Sequence, residues 1–368
     1  MRNHNPLRVL VVDDTIFYRK IVSEILSELP DVEVVGAAGN GKIAMSRITS
    51  LNPDLLILDI EMPEMNGLEV LKSIQDFSLD VGVIVLSTLT PKGGEITMNA
   101  LELGAFDFVL KPDSGSMEEN RKEIKDSLST MLKGFARHQE IRRILKGKSG
   151  LAAEESGLGK RGVVQRMTAI TSRRMSRSEV VGIGISTGGP KALSQLMPKL
   201  PADLGVPMLV VQHMPPVFTQ ALAKSLDSKS ALKVKEATDG EAVIPNIVFI
   251  APGGKQMKVV AGADAKSRII RITDDPPENH CKPSIDYLFR SLARHYVRRA
   301  TAVIMTGMGS DGVLGVNLMK QNGSTIIAQD EMSCVVFGMP KEAIDARIVD
   351  VIAPLDQISV EITKTVKI

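Results

Sequence analysis

The chain is poor in cysteine and aromatic residues and has no long apolar run. Its 368 residues include two cysteines, Cys281 and Cys334, so no framework of disulfides holds the fold together. Tryptophan is absent and aromatic residues make up 3% of the chain, which argues against a stacking surface for single-stranded nucleic acid. No stretch of about 18 apolar residues occurs, so we expect no membrane insertion.

The N-terminal segment lacks the pattern of a secretory signal. Residues 1–6 lead directly into a short apolar strand pattern, without the long apolar segment that such a signal contains. We therefore expect a cytoplasmic protein. At about 100–200 residues per domain, the length predicts two or three domains.

The net charge of +2 is close to zero, but the charge is unevenly distributed. Between Arg142 and Arg177 there are ten basic residues and two acidic ones. This stretch is rich in glycine and serine and has no sustained apolar periodicity, which is typical of a linker. A nucleic-acid-binding arm is the alternative, but charge runs are usually solvated, so we predict no nucleic-acid partner. We divide the chain into a domain at 1–125, a helix with a basic flexible linker at 126–178, and a second domain at 179–368.

In the first half, short apolar runs alternate with helical patterns. This alternation predicts an α/β domain with a five-stranded, parallel, doubly wound sheet, in which functional residues collect at the carboxyl ends of the strands. The predicted strands are Leu7–Val12, Val32–Gly36, Leu55–Leu58, Val81–Leu86 and Phe106–Leu110. The predicted helices are Ile16–Leu29, Gly41–Leu51, Gly67–Gln75 and Glu95–Leu103, with a last one after Met117.

The alternation resumes after the linker and predicts a second α/β domain with a mainly parallel sheet. Near-continuous apolar runs, typical of strands buried on both faces, occur at Val180–Ile185, Pro207–Val211 and Thr301–Met305. Shorter strands, which fit an inserted antiparallel hairpin, are predicted at Ile247–Ala251, Met257–Ala261 and Arg268–Ile272. Helical patterns follow Pro190, Pro216, Pro283 and Asp311.

Polar residues stand at the ends of four strands in the first half. They are Asp13, Asp14, Asp59, Ser87, Thr88 and Lys111. Strands one and three are neighbours in a doubly wound sheet, so the three carboxylates should converge. An all-oxygen cluster of this kind suits Mg²⁺, and an aspartate can accept a phosphoryl group. Each aspartate alone is explained equally well as a turn or cap residue, but chance does not readily explain the joint pattern.

Residues from about 7 to 125, and above all the segment LLILDIEMPEMNGLEVL at Leu55–Leu71, resemble the receiver domain of response regulators. The resemblance implies a flavodoxin-like fold. It also implies that Asp59 accepts the phosphoryl group from a histidine-kinase partner. Asp13 and Asp14 would hold Mg²⁺, with Asp59 completing the site.

The same resemblance assigns roles to the remaining polar strand ends. Lys111 would contact the phosphoryl oxygens. Ser87 would be the switch hydroxyl that responds to phosphorylation. Thr88 stays an alternative, because a strand boundary is uncertain by a residue or two.

A serine in the second half occupies a turn suited to a nucleophile. Gly184–Gly188 reads G-x-S-x-G directly after a strand, and Gly189-Pro190 then opens a helix. Such a turn presents Ser186 at the carboxyl edge of the sheet, with backbone N–H groups pointing at it. A phosphate-binding turn or a simple helix cap is the alternative.

A serine nucleophile needs a base, and the chain has five histidines. His213 ends the strand after the one that carries Ser186, and should therefore lie on the same sheet edge. His280 is the second candidate. Asp311 follows a third buried strand and supplies the acid of a triad, although it is also a plausible helix cap. The chain order Ser, His, Asp differs from that of α/β-hydrolases, which disfavours a lipase-type enzyme.

Three segments around these residues, GISTGGP, QHMPP and TGMGSDG, resemble the chemotaxis protein-glutamate methylesterase (CheB) family over residues 179–368. The resemblance implies hydrolysis of glutamate methyl esters, and deamidation of certain glutamines, on chemoreceptors. It implies Ser186 as nucleophile, His213 as base and Asp311 as its orienting acid, with the Met308 backbone N–H as an oxyanion donor. The receiver would then cover the catalytic face until it is phosphorylated, and the esterase would need no cofactor.

Other functions are less consistent with the sequence. A DNA-binding response regulator would carry a compact basic helix-turn-helix after the receiver, rather than buried parallel strands. A nucleotide-binding module would need a P-loop lysine or a ribose-binding acid, and the nearest candidate, Asp203, lies in a proline-flanked loop. His280, Cys281 and Cys334 have no recognisable zinc-ligand spacing.

Overall fold

We describe the fold from a computed structural model covering residues 6–112, 115–151 and 177–367. Most of the predicted basic linker, residues 152–176, lies outside the described residues. The helix predicted after Met117 extends into the basic stretch as far as Leu151. The domain boundaries at 125 and 178 therefore stay predictions.

The first domain is a parallel sheet with helices on both faces. Its five strands have the order β2-β1-β3-β4-β5, and every pair is parallel, which confirms the predicted receiver-type sheet. The strands are β1 (Leu7–Val12), β2 (Val32–Ala38), β3 (Leu55–Asp59), β4 (Gly82–Thr88) and β5 (Asp107–Lys111). The helices are α1 (Ile16–Ser27), α2 (Gly41–Leu51), α3 (Gly67–Asp76), α4 (Pro91–Glu102) and α5 (Met117–Leu151).

Local sequence explains where these elements begin. All five residues of β3 are buried, because both faces of the sheet are covered by helices. At the start of α3, Asn66 and Glu69 form a capping box, in which each side chain accepts a hydrogen bond from the other residue's backbone N–H. Pro91 occupies the first turn of α4, where its missing N–H costs no helical hydrogen bond.

The second domain contains a seven-stranded parallel sheet with the order β14-β13-β12-β6-β7-β9-β8, and a separate antiparallel hairpin, β10-β11. A mainly parallel sheet and an inserted antiparallel hairpin were predicted, but the predicted short strand at Ile247–Ala251 belongs to the parallel sheet. The strands are β6 (Val180–Ile185), β7 (Met208–Gln212), β8 (Lys233–Glu236), β9 (Ile247–Ile250), β10 (Gln256–Ala261), β11 (Arg268–Thr273), β12 (Ala300–Ile304), β13 (Thr325–Gln329) and β14 (Val351–Ala353). The helices are α6 (Gly189–Leu196), α7 (Phe218–Asp227), α8 (Ile285–His295), α9 (Val313–Gln321), α10 (Met339–Asp345) and α11 (Leu355–Val366).

Three strands of this sheet were not predicted. β8 reads KVKE and lies at a sheet edge, where only one face is buried and charged residues are tolerated. β14 has three residues, too few for a periodic pattern. β13 is fully buried but short, and a brief apolar run of this kind does not distinguish a strand from a helix.

The receiver packs against the carboxyl edge of the second sheet. Phe108 of β5 stacks on Phe218 of α7, with ring centroids 4.7 Å apart and planes 11° from parallel. Lys224 of α7 forms an ion pair with Glu95 of α4 at 3.2 Å. Arg137 of α5 approaches Glu331 to 3.4 Å on the other side of the contact. This packing brings receiver residues beside the predicted catalytic serine.

Candidate active site and phosphorylation site

The turn after β6 places Ser186 at the edge of the second sheet. The Ser186 N–H donates to the Thr306 carbonyl at 2.9 Å, and the Gly189 N–H donates back to the Ser186 carbonyl at 2.7 Å. Gly188 has a φ of 75°, and a Cβ atom there would lie 2.5 Å from the Val335 side chain. Only glycine satisfies both constraints, so this turn requires the second glycine of the G-x-S-x-G pattern.

His213 and Asp311 meet as the sequence predicts. His213 follows β7, and its backbone N–H donates to the Ile185 carbonyl at 3.1 Å, one residue before Ser186. Its ring Nε2 lies 2.8 Å from Asp311 Oδ2. Gln212 Nε2 donates to the backbone carbonyls of Ser186 and His213, at 3.0 and 3.2 Å, and ties the two loops together.

The Asp311 carboxylate is held by donors that the sequence did not reveal. Oδ1 accepts from Asn279 Nδ2 at 3.0 Å, from Ser284 Oγ at 2.9 Å and from the Asp286 N–H at 3.2 Å. Oδ2 accepts from the Ile285 N–H at 2.7 Å as well as facing His213. The only sequence signal was Ser284 directly before a helical pattern, which predicts a cap and not a contact with a distant acid.

These contacts fix the charge of the His213–Asp311 pair. Burial raises the pKa of Asp311, but the hydrogen bonds from His213, Ile285 and Asn279 outweigh it and lower that pKa to about 2. Burial lowers the pKa of His213, but the contacts with Asp311 and Cys281 outweigh it and raise the pKa to about 9. Asp311 therefore favours the charged imidazole, which is what the predicted role of an orienting acid requires.

Ser186 and His213 line one cavity of about 250 Å³ between the two domains. Among the described residues, Ser186 Oγ makes no hydrogen bond, so the contact between nucleophile and base stays a prediction. Hydrogen bonds of this kind are often long in an enzyme without substrate. His280, the second candidate base, has an exposed side chain, while its neighbour Cys281 contacts His213.

The backbone beside Ser186 contains the predicted oxyanion donor. A Cβ atom on Gly307 would lie 2.7 Å from the Ser186 Cβ, so the glycine permits a close approach. The next residue is Met308, and within the described part of the chain its N–H is not donated to any backbone or side-chain acceptor.

In the receiver, three carboxylates converge at the ends of β1 and β3. Asp13, Asp14 and Asp59 each offer an oxygen within 4.8 Å of the others. Lys111 Nζ lies 2.7 Å from both Asp13 Oδ2 and Asp59 Oδ2. This oxygen-only cluster fits Mg²⁺.

The Asp59 carboxyl is partly desolvated. Burial raises its pKa to about 6, against the opposing effect of the Lys111 ammonium. Burial lowers the pKa of Lys111, but Asp59 and Asp13 more than reverse this and raise it above its usual value. A further cation beside these acids would therefore favour the ionised carboxylate that attack on phosphorus requires.

The two candidate switch hydroxyls differ in burial and in hydrogen-bond partner. Ser87 is buried, and its Oγ lies 2.6 Å from Thr97 Oγ1 of α4. Thr88 is half-buried and lies 3.4 Å from the Thr90 hydroxyl. The choice between Ser87 and Thr88 stays open.

One receiver residue next to the Ser186 turn has no role predicted from the sequence. Asp107 begins β5 and is 8% exposed, in the cavity that also contains Ser186. Burial raises its pKa to about 7, opposed by the Phe108 N–H, the Thr187 hydroxyl and the Gly188 N–H. The sequence gives no signal for this contact, because it joins two separately folded sheets.

The described part of the second half lacks the features of the DNA-binding and nucleotide-binding alternatives. It contains a seven-stranded parallel sheet where a DNA-binding regulator would have a helix-turn-helix. Asp203, the candidate ribose ligand, is exposed and pairs with Lys367 at 2.8 Å. In the described part of the chain, no helix is both long enough and apolar enough to span a bilayer.

Comparison with known proteins covers both halves of the chain. Residues 9–121 match the response regulator receiver domain, and residues 181–362 match the CheB methylesterase family. The catalytic domain of CheB methylesterase from Thermotoga maritima is similar in structure, with a TM-score of 0.50 and 41% sequence identity, over 51% of this chain and 99% of that chain.

Two relatives, each called protein-glutamate methylesterase/protein-glutamine glutaminase, align over nearly the full length. The protein from Desulfotalea psychrophila is 51% identical, over 98% of this chain and 99% of the relative. The protein from Bacillus subtilis is 42% identical, with the same coverage. The chain therefore belongs to the CheB methylesterase family, as a receiver-regulated protein-glutamate methylesterase/protein-glutamine glutaminase of chemotaxis.

Proposed function

We propose that Ser186, His213 and Asp311 are the catalytic residues that hydrolyse glutamate methyl esters on the cytoplasmic part of chemoreceptors. The observation that supports this most directly is the 2.8 Å contact between His213 and Asp311, on the same sheet edge as Ser186. The experiment that tests the function is methanol release from methylated receptor membranes, with and without a small-molecule phosphodonor.

The tautomer of His213 sets the direction of proton transfer. Because Nε2 faces Asp311, Nδ1 is the nitrogen that accepts the Ser186 proton as Oγ attacks the ester carbon. His213 then gives that proton to the departing methoxide, and methanol leaves an acyl-serine. Water attacks next, its proton passes through Nδ1 to Ser186, and the free glutamate is released. With glutamine as substrate, ammonia leaves in place of methanol.

The oxyanion formed in each step needs a donor beside Ser186. The Met308 N–H follows the close contact between Gly307 and Ser186, and no other acceptor of the described residues takes its hydrogen bond. A single donor of this kind contributes about 3 kcal/mol to the transition state.

The receiver supplies the regulation. Asp59 attacks the phosphorus of a phosphohistidine on the kinase partner, the P–N bond breaks, and an acyl phosphate forms on Asp59. Asp13, Asp14 and Asp59 would hold Mg²⁺, which neutralises phosphoryl charge when bound. Lys111 is placed to contact the phosphoryl oxygens, and Ser87 or Thr88 to respond to them.

In the resting protein, the receiver closes the catalytic cavity. Asp107 brings a buried carboxyl beside Thr187 and Gly188, which follow the nucleophile in the chain. Phe108 anchors the same strand on α7 through its stack with Phe218. Phosphorylation at Asp59 changes the charge of the receiver and shifts this two-state contact towards the open form.

Replacing the phosphoacceptor should separate regulation from chemistry. Asp59→Asn should abolish stimulation by a small-molecule phosphodonor and retain basal methanol release, because the catalytic domain is untouched. The measurement is methanol release with and without the phosphodonor. Asp76→Asn, an exposed aspartate at the end of α3, is the control and should keep full stimulation. Stimulation that persists in Asp59→Asn would refute the assignment.

Removing the receiver carboxyl from the cavity should activate the enzyme. Asp107→Ala deletes the contact with Thr187 and Gly188, and so weakens the closed arrangement of the two domains. A loss of about one or two kcal/mol in the free energy of closing corresponds to about a 5- to 30-fold rise in basal methanol release. Asp76→Ala, at an exposed receiver site, should leave basal activity unchanged. Phosphorylation of Asp59 should persist in both variants, which shows that the receiver is folded. Unchanged basal activity in folded Asp107→Ala would contradict the role of this residue.

A further inference from the structure

The candidate base has a second neighbour that the proposed reaction does not use. Cys281 Sγ lies 3.7 Å from His213 Nδ1, the ring nitrogen that does not face Asp311. The thiol is half-buried, and it also lies 3.4 Å from the Asn279 carbonyl. The imidazole therefore has a carboxylate at one nitrogen and a thiol at the other.

The spacing of sulfur and nitrogen matches that of two ligands on one zinc ion. Zn–S and Zn–N bonds of about 2.3 and 2.0 Å at a tetrahedral angle separate the two ligand atoms by about 3.5 Å. The Sγ–Nδ1 distance of 3.7 Å needs almost no adjustment to admit the ion. Zinc also favours thiolate and imidazole ligands, whereas Mg²⁺ favours oxygen ligands.

Asp311 prepares His213 for this role. A zinc-binding histidine usually donates its other ring N–H to a carboxylate, which fixes the ring and leaves the ligating nitrogen unprotonated. The 2.8 Å contact from Nε2 to Asp311 Oδ2 gives that arrangement. One carboxylate oxygen of Asp311 also lies within 4.8 Å of the Cys281 sulfur and of a ring nitrogen of His213, so three ligand types converge here.

The second cysteine has none of these features. Cys334 is buried, with 5% of its surface exposed, and burial keeps the pKa of its thiol far above the usual range. Neither cluster of possible metal ligands among the described residues includes it. It therefore provides a matched control within the same chain.

We infer that Cys281 and His213 form an inhibitory zinc site, in which the ion occupies the nitrogen that would accept the Ser186 proton. Binding joins Zn²⁺ to the Cys281 thiolate and to Nδ1. The thiol proton, and any proton on Nδ1, leave to solvent, and water completes the coordination. The binding step is independent of the proposed reaction, while the inhibition rests on His213 acting as its base.

Titration with zinc chloride tests the inhibition in the full-length protein. Excess Mg²⁺ keeps the receiver carboxylates occupied. Zn²⁺ should lower methanol release at least about tenfold, and a chelator should restore it. In Cys281→Ser, the half-inhibiting zinc concentration, measured against the zinc-free rate of that variant, should rise at least about tenfold. Cys334→Ser should behave as the parent protein. Equal zinc sensitivity of Cys281→Ser and the parent would overturn the inhibition.

Cobalt absorption tests the binding without reference to activity. Co²⁺ bound by a thiolate gives a sulfur-to-cobalt charge-transfer band, which an oxygen-only receiver site cannot produce. The band should appear in the parent, in Cys334→Ser and in Ser186→Ala, and should be lost in Cys281→Ser. If it persists without Cys281, the site is refuted. If the band behaves as expected but no protein releases methanol, the metal site stands and the proposed reaction fails.

Discussion

Ser186→Ala should lower methanol release from methylated receptor by at least about 10,000-fold. Loss of a triad nucleophile removes the acyl-serine route entirely, and only the oxyanion donor and substrate binding then assist direct attack by water. The substitution removes a single oxygen, which makes no hydrogen bond among the described residues, so the fold should not change. The measurement is single-turnover methanol release from receptor membranes.

Two controls distinguish lost chemistry from lost structure. Ser186→Ala should accept a phosphoryl group at Asp59 at the parent rate, because the receiver is untouched. Ser228→Ala removes a surface hydroxyl at the end of α7, where it donates to the Ser225 carbonyl at 2.8 Å, and should retain full activity. A Ser186→Ala protein with activity within tenfold of the parent would show that another group is the nucleophile.

Asp311→Asn should lower methanol release about 1,000- to 10,000-fold. An amide at this position no longer fixes the His213 tautomer in which Nε2–H donates to residue 311 and Nδ1 is free to accept a proton. The carboxylate also accepts hydrogen bonds from Asn279, Ser284 and two backbone N–H groups, and an NH₂ group facing donors would disrupt this arrangement.

The pH profile of the same variant identifies the cause. In the parent, Asp311 is one of the two groups that raise the pKa of His213 to about 9, so activity should increase with pH as the imidazole loses its proton. Without the carboxylate, burial dominates and the pKa of His213 falls, so the residual activity should reach its plateau at lower pH. Asp345→Asn, an exposed residue that pairs with Lys341, should keep both the rate and the parent profile. A large loss of rate with an unmoved profile would mean that Asp311 acts only in folding.

Site residues could be predicted from the sequence where each one follows a buried strand. Ser186, His213 and Asp311 each follow a fully buried parallel strand, and parallel strands end at a common edge, so their proximity could be predicted. The same reasoning brought Asp13, Asp59 and Lys111 together in the receiver.

Contacts made by loops and between domains could not be predicted in this way. Asn279 reaches Asp311 from an irregular loop that has no periodic pattern. Cys281 has no zinc-ligand spacing in sequence to another cysteine or histidine, because its partner, His213, is 68 residues away at the end of a different strand. Asp107 reaches the catalytic turn only because two independent domains pack together, and no pattern within either domain encodes that packing.

The short length of β5 determines how far a signal has to travel. Lys111, beside the proposed phosphoacceptor Asp59, ends this strand, while Asp107 and Phe108, against the second domain, begin it. The four residue-to-residue steps from Asp107 to Lys111, at about 3.3 Å each, place the two ends of the strand roughly 13 Å apart. Each of the five residues is paired with β4. A structural change at the Lys111 end of β5 can therefore be transmitted to the second domain through one strand, without an intervening loop. Variants that loosen the pairing of β4 with β5 should uncouple the two domains while leaving each one active.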